Sequence, residues 1–168
     1  MPQRKTFDLP GEHHFVTFST FQRRRFLDSS HTRDIVRQVL QECLSNHRAA
    51  CAGFVIMPNH IHAILFGEAD FAISRFIQVW KKTSSYRIKR LYAQDLSHYH
   101  ELCPINCPVW QAGFYDFNLE SDQKLSEKID YMHNNPVEAK LAPLAIGWAW
   151  SSARFYERNE FVGVTITT

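Results

Sequence analysis

Two histidines stand one residue apart in PNHIHAILF, residues 58–66. On a β-strand successive side chains alternate between faces, so His60 and His62 share one face and Ile61 points to the other. Two imidazoles aimed from one rigid strand are the beginning of a divalent-metal site. The same spacing also suits a pair of exposed histidines on the wet face of a half-buried strand, and the short motif leaves both readings open. DYMHNNP, residues 130–136, is the second constellation. Tyr131 and Asn135 are four apart and fall on one face of a helix. A tyrosine hydroxyl, with an ordinary pKa of about 10, is neutral at pH 7 and becomes a nucleophile only with help from a metal or a base. An asparagine amide oxygen can complete a hard-metal site for Mg²⁺ or Mn²⁺. On local chemistry alone, a packed tyrosine ring followed by an Asn-Asn-Pro helix stop is the stronger reading. His133, two residues from Tyr131, points elsewhere on such a helix and reads as supporting or exposed.

Cations cluster twice. WKKTSSYRIKRLY, residues 80–92, holds Lys81, Lys82, Arg87, Lys89 and Arg90 among aromatic and hydroxyl side chains, and QRRRF holds Arg23, Arg24 and Arg25. Cations for phosphates and rings for bases suit single-stranded nucleic acid, although a solvated helix face is the commoner meaning of such a run. Tyr86 and Tyr92 read as packing or stacking residues, because Arg90 and Leu96 occupy the positions four residues on. His98, His100, Cys103 and Cys107 offer zinc-ligand chemistry, but their spacing matches no familiar zinc ribbon or finger.

These residues need elements to hold them. HHFVTFST at 13–20 has strand composition. From about Ser30 to Asn46 apolar residues recur at helical spacing, with Ser29 or Ser30 as cap. Residues 49–58 and HIHAILFG read as two strands in a hairpin or tight antiparallel connection. Phe71 to about Leu91 is a long helix or a broken pair. Residues 93–108 are expected to be a loop, VWQAGFYDFNL at 109–119 a fourth strand, and 121–134 a helix with Ser121 or Asp122 at its start and Pro136 near its end. Residues 1–12 read as a lead-in and 145–168 as a C-terminal tail that could pack back on the body. The order predicts an α+β domain with an antiparallel sheet and helices mainly on one face.

The chain has 168 residues, the length of one domain, and 14% aromatic residues supply bulk for a core. A net charge of +2 does not announce a nucleic-acid binder, so basic surface must come from local clustering. Four cysteines at this length do not make a disulfide scaffold. With no apolar signal segment and no membrane-length apolar run, the expected location is the cytoplasm.

Taken together the chain resembles the REP-associated tyrosine transposases, a branch of the single-tyrosine HUH, or IS200-like, transposases. The resemblance rests on His60-Ile61-His62 preceded by MPNH, on Tyr131 in DYMHNNPVEAKL, on VWQAGFYDFNL and on WAWSSARFY, and it covers roughly residues 8–156. It implies a ferredoxin-like antiparallel sheet with the histidine motif on a central strand. It implies that His60, His62 and Asn135 hold Mg²⁺ or Mn²⁺, and that Tyr131 attacks a phosphate of single-stranded DNA to give a 5′-phosphotyrosine link and a free 3′-OH. It further implies strand transfer, hairpin-forming repeats as DNA, and Arg23, Arg24, Arg25, Lys81, Lys82, Arg87, Lys89 and Arg90 as phosphate contacts. Whether the protein is a monomer or a homodimer stays undecided. The chain departs from the family pattern at Tyr115, where tryptophan is usual, at Phe117, where histidine is frequent, and at Lys140, where glycine is common. The alternatives are a domesticated hairpin-binding protein that does not cut, a zinc protein built on residues 98–107, and a metal-dependent hydrolase of small molecules.

Overall fold

The computed structural model of the chain describes residues 11–95 and 106–168. Four antiparallel strands form one sheet in the order β2-β3-β1-β4, with β1 at His13–Ser19, β2 at Ala49–Ile56, β3 at His60–Gly67 and β4 at Tyr115–Leu119. The helices are α1 at Ser30–Asn46, α2 at Ile73–Gln94, α3 at Asp122–Glu138 and α4 at Ala153–Arg158. β3 therefore lies inside the sheet, bonded to β2 on one side and to β1 on the other. The predicted hairpin is present: Met57 N–H donates to the His60 carbonyl at 2.8 Å and closes the turn between β2 and β3.

Alternation along the strands divides the core in two. Val16, Phe18, Phe54, Ile56, Ile61, Ala63 and Leu65 face α1 and α2. Phe15, Ala52, Val55 and Ile64 face α3 through Ile129 and Met132. The helices α1 and α2 thus share one face of the sheet, and α3 stands on the other. The segment 71–91 resolves as a single continuous helix beginning at Ile73, because Phe76, Ile77, Trp80, Ser84 and Ile88 keep one buried stripe. Trp80 Nε1 fastens it to α1 through the Val36 carbonyl at 3.0 Å.

Two predicted boundaries move. The fourth strand spans only Tyr115–Leu119 and not 109–119. Before it, Trp110 makes one bridge to Thr20, and Gly113 turns the chain at φ +73°. The carbonyls of Gln111 and Gly113 accept from Lys81 Nζ at 2.6 and 2.8 Å. The third long helix does not stop at Asn134 but runs through Pro136 to Glu138. Pro136 lacks the N–H that would bond the Met132 carbonyl, so the helix passes through it at the cost of one intrahelical bond. The expected tail is ordered against the body: it carries α4, and Ser151 and Ile166 each bridge to β2.

Candidate active site

β3 sets the imidazoles. The antiparallel register places Thr17 opposite His62 and Ser19 opposite His60, all on the α3 face. His62 is 6% exposed, stacked on Phe15 with ring centres 5.4 Å apart, and its Nδ1 lies 2.7 Å from Thr17 Oγ1. His60 Nδ1 lies 2.8 Å from Asn59 Oδ1. The two imidazole rings are 4.9 Å apart, centre to centre.

α3 sets the other half. Ser121 caps it by accepting from Lys124 N–H, and Ile129 and Met132 bury one stripe against the sheet. The adjoining stripe carries Tyr131 and Asn135 to the imidazoles. The Tyr131 ring sits 5.4 Å from that of His62, and Asn135 Oδ1 lies 3.4 Å from His60 Nε2. Asn135 Nδ2 donates to the Tyr131 carbonyl at 3.2 Å, which turns its oxygen toward His60. Tyr131 itself is 46% exposed, open to a large substrate.

Burial pushes the pKa of His60 down; the contact with Asn135 opposes this and the charge of Arg23 adds to it. His62 is pushed down to about 3, by burial first and then by the neighbouring charges of His60, Lys128 and Arg23. Both rings are therefore neutral at pH 7, with one N–H each. The shorter contact of His60 assigns its N–H to Nδ1, toward Asn59. Its Nε2 lone pair then faces the lone pairs of Asn135 Oδ1 with no hydrogen between them. His62 Nδ1 is likewise engaged, by Thr17 Oγ1 at 2.7 Å, and when it donates there its Nε2 is bare. Two imidazole nitrogens and an amide oxygen brought together as electron-pair donors are a set that suits a divalent cation, with hydrogen-bonded partners behind the rings. Among the described residues no cluster of three His, Cys, Asp or Glu side chains forms a metal site of another kind.

The cations divide. Arg23 is close enough to depress both histidines, and Asn59 Nδ2 donates to its carbonyl. Gln22 and Arg23 both have positive φ, 54° and 53°, in the turn beside the site. Arg25 pairs with Asp28 at 2.6 Å. The α2 positions Lys81, Lys82, Arg87, Lys89 and Arg90 sit on the helix that packs against the opposite face of the sheet. Lys81 is turned to backbone carbonyls, and Arg87 binds both carboxylate oxygens of Glu42 at 2.8 and 2.7 Å. Tyr92 is fully buried with its hydroxyl donating to the Phe26 carbonyl, whereas Tyr86 is exposed. His133 is neither beside the site nor exposed. It is buried, 2.8 Å from Ser152 Oγ, and its pKa is pushed down to about 4 by burial. His98, His100 and Cys103 lie outside the described residues.

Three residues at the site escaped the sequence reading. Asn59 and Thr17 back the imidazoles, and Lys128 holds its Nζ 5.3 Å from the Tyr131 ring centre and 4.8 Å from that of Phe15. Asn59 adjoins the motif and Lys128 precedes Tyr131 by one helical turn, so both had a local signal. Thr17 had none, because only strand pairing brings it to His62.

This fold is shared with transposases of known structure. A REP-associated tyrosine transposase, solved bound to a REP hairpin, superposes with a TM-score of 0.73 at 16% identity, covering 99% of this chain and 93% of that one. A crystal structure at 1.90 Å of a protein assigned as a transposase from Deinococcus radiodurans R1 gives a TM-score of 0.55 at 16% identity, covering 80% and 97%. A search of curated proteins finds no match. The family model "Transposase IS200 like" matches residues 11–135, a span that opens just before β1 and closes on Asn135. The chain belongs to the IS200-like transposase family, a family of DNA-processing enzymes.

Proposed function

We propose that the protein is a site-specific single-strand DNA endonuclease and strand transferase acting through Tyr131, with hairpin-forming repeats as its DNA. The observation that carries this reading is the convergence of His60, His62, Tyr131 and Asn135 on one face of the sheet. The hairpin held by the REP-associated relative supports the choice of DNA. A Mg²⁺ or Mn²⁺ ion held by His60, His62 and Asn135 would polarise the scissile phosphate as a Lewis acid. Tyr131 Oη forms the new bond to phosphorus, and the bond from phosphorus to the 3′ oxygen breaks. The phenolic proton leaves to solvent, and the departing oxygen takes one up to become a 3′-OH. The 5′-phosphotyrosine ester keeps the bond energy, so another 3′-OH can reverse the step and transfer the strand. Thr17 and Asn59 hold the two rings with Nε2 outward, and Arg23 faces phosphate at the rim.

The test is a denaturing gel of labelled single-stranded DNA from the gene's flanking repeats, with a random pool alongside, in Mg²⁺ or Mn²⁺. A labelled band at protein size that disappears for Tyr131→Phe and without metal is the expected result. Tight hairpin binding with no band would replace this reading with that of a non-cutting hairpin binder, a reading that Phe117 and Tyr115 in place of the family's usual residues keep in view.

A further inference from the structure

β4 is an edge strand, and its site face carries a row of rings. Tyr115 lies opposite Thr17 and Phe117 opposite Phe15 in the register, so both rings stand on the face that carries His62. Tyr115 is 50% exposed and Phe117 is half-buried. From Tyr115 to His62 is two strand spacings, about 10 Å. Above this row run two lysines one turn apart on α3. Lys124 Nζ lies 5.7 Å from the Phe117 ring centre, and Lys128 Nζ lies 5.9 Å from it. Lys128 also lies 4.8 Å from the centre of Phe15 and 5.3 Å from that of Tyr131. Lys124 shares an exposed carboxylate, Glu120 at 3.5 Å, but no carboxylate partners Lys128 among the described residues.

We infer that this edge is a binding track for single-stranded DNA, in which Tyr115 and Phe117 stack bases and Lys128 takes the backbone phosphate next to Tyr131. Rings for sequence-tolerant stacking and cations for phosphates are what a single strand requires. The helix α2 packs on the other face of the sheet, and its one cation that reaches the start of this edge, Lys81, is engaged by the Gln111 and Gly113 carbonyls. The track rests on the reading that the partner is single-stranded DNA, and it is independent of whether Tyr131 cuts.

It is tested by fluorescence anisotropy with two probes of equal length and charge, an oligothymidylate of about 20 nucleotides and an abasic strand with the same backbone. All proteins carry Tyr131→Phe so that no probe is consumed. The parent is expected to prefer the probe with bases. Tyr115→Leu and Phe117→Leu, which keep apolar bulk and remove the ring, are expected to weaken that probe about 5- to 100-fold and leave the abasic strand unchanged. Lys128→Gln is expected to weaken both and to reduce the salt slope by about 0.7. Equal affinity of the parent for both probes, or equal losses on both for the ring variants at unchanged Tm, overturns the track. A phosphotyrosine band without base-dependent binding sinks the track alone; base-dependent binding without a band sinks the cleavage chemistry alone.

Discussion

His60 and His62 are the same side chain in unequal surroundings. Both are kept neutral by burial, His62 more strongly, and each is braced through Nδ1 by a different neighbour. Bracing fixes the tautomer, so the brace should matter to metal affinity before it matters to folding. Thr17→Val is expected to weaken Mn²⁺ binding about 10- to 100-fold by isothermal titration calorimetry, with the melting temperature nearly unchanged. His133 gives the second prediction at this scale. Its pKa is lowered from 6.5 to about 4 in the folded protein, so below pH 6.5 the unfolded chain binds the proton first. The stability this histidine contributes is therefore complete above about pH 6.5 and is lost as pH falls toward 4. Chemical denaturation between pH 7 and 4 should show a decline that is shallower in His133→Gln by an amount on the order of 3 kcal/mol at the acid end.

Among the elements, α3 carries the site and its ends are legible. Ser121 supplies the cap, Asp122 favours the positive end of the helix dipole, and the Ile129–Met132 stripe faces the sheet. Its far end lies four residues past the predicted Asn134, because Pro136 removes one intrahelical bond without ending the helix. Beyond Glu138 the chain reverses at Lys140, whose φ is +58°. This is the position where the family commonly has glycine, and the backbone explains why: a left-handed turn favours a residue without a Cβ. Lys140→Gly should stabilise the protein by about 0.5–1 kcal/mol, the relief of strain exceeding the entropy of glycine. A urea titration measures it, and a destabilised variant would mean that the lysine side chain makes a contribution larger than the strain.

At the scale of the molecule, α1 and α2 press on one face of the sheet and α3 on the other, while the C-terminal segment follows the β2 edge, with Trp148 in the core on the α3 side and Val162, Val164 and Ile166 in the core on the α1 side. Arg33 lies against both Trp148 and Trp150, at 4.9 and 3.9 Å from their ring centres, and Trp148 Nε1 donates to the Ile56 carbonyl at 3.0 Å. Ser152 accepts from Phe54 N–H at 3.0 Å and meets His133 on α3, so the segment ties the sheet to the tyrosine helix. Trp148→Ala should cost about 3–5 kcal/mol, read as a fall in denaturation midpoint. The division of faces also ranks the cations. Arg23 shares the imidazole side and Arg90 does not, so Arg23→Gln should reduce adduct formation more than Arg90→Gln when both are assayed on the same DNA. The described residues contain no helix long and apolar enough to cross a membrane.

The strands, the helices and the pairing of Tyr131 with Asn135 were written in local pattern. Alternation and the 3.6-residue period are properties of short stretches, and a four-residue interval on a helix fixes a shared face wherever the helix sits. By itself the sequence therefore determined that His60 and His62 look one way and that Tyr131 and Asn135 look together. Only the tertiary structure decided that these two pairs meet, since the meeting depends on α3 taking the face of the sheet that α1 and α2 leave open. It also decided which cations stand near the site, why 109–114 leaves the sheet, that Thr17 meets His62 and that Lys128 lies over both Phe117 and Tyr131. Each of these depends on strand register and helix packing across tens of residues, and no local periodicity records which distant side chains a fold will bring into contact.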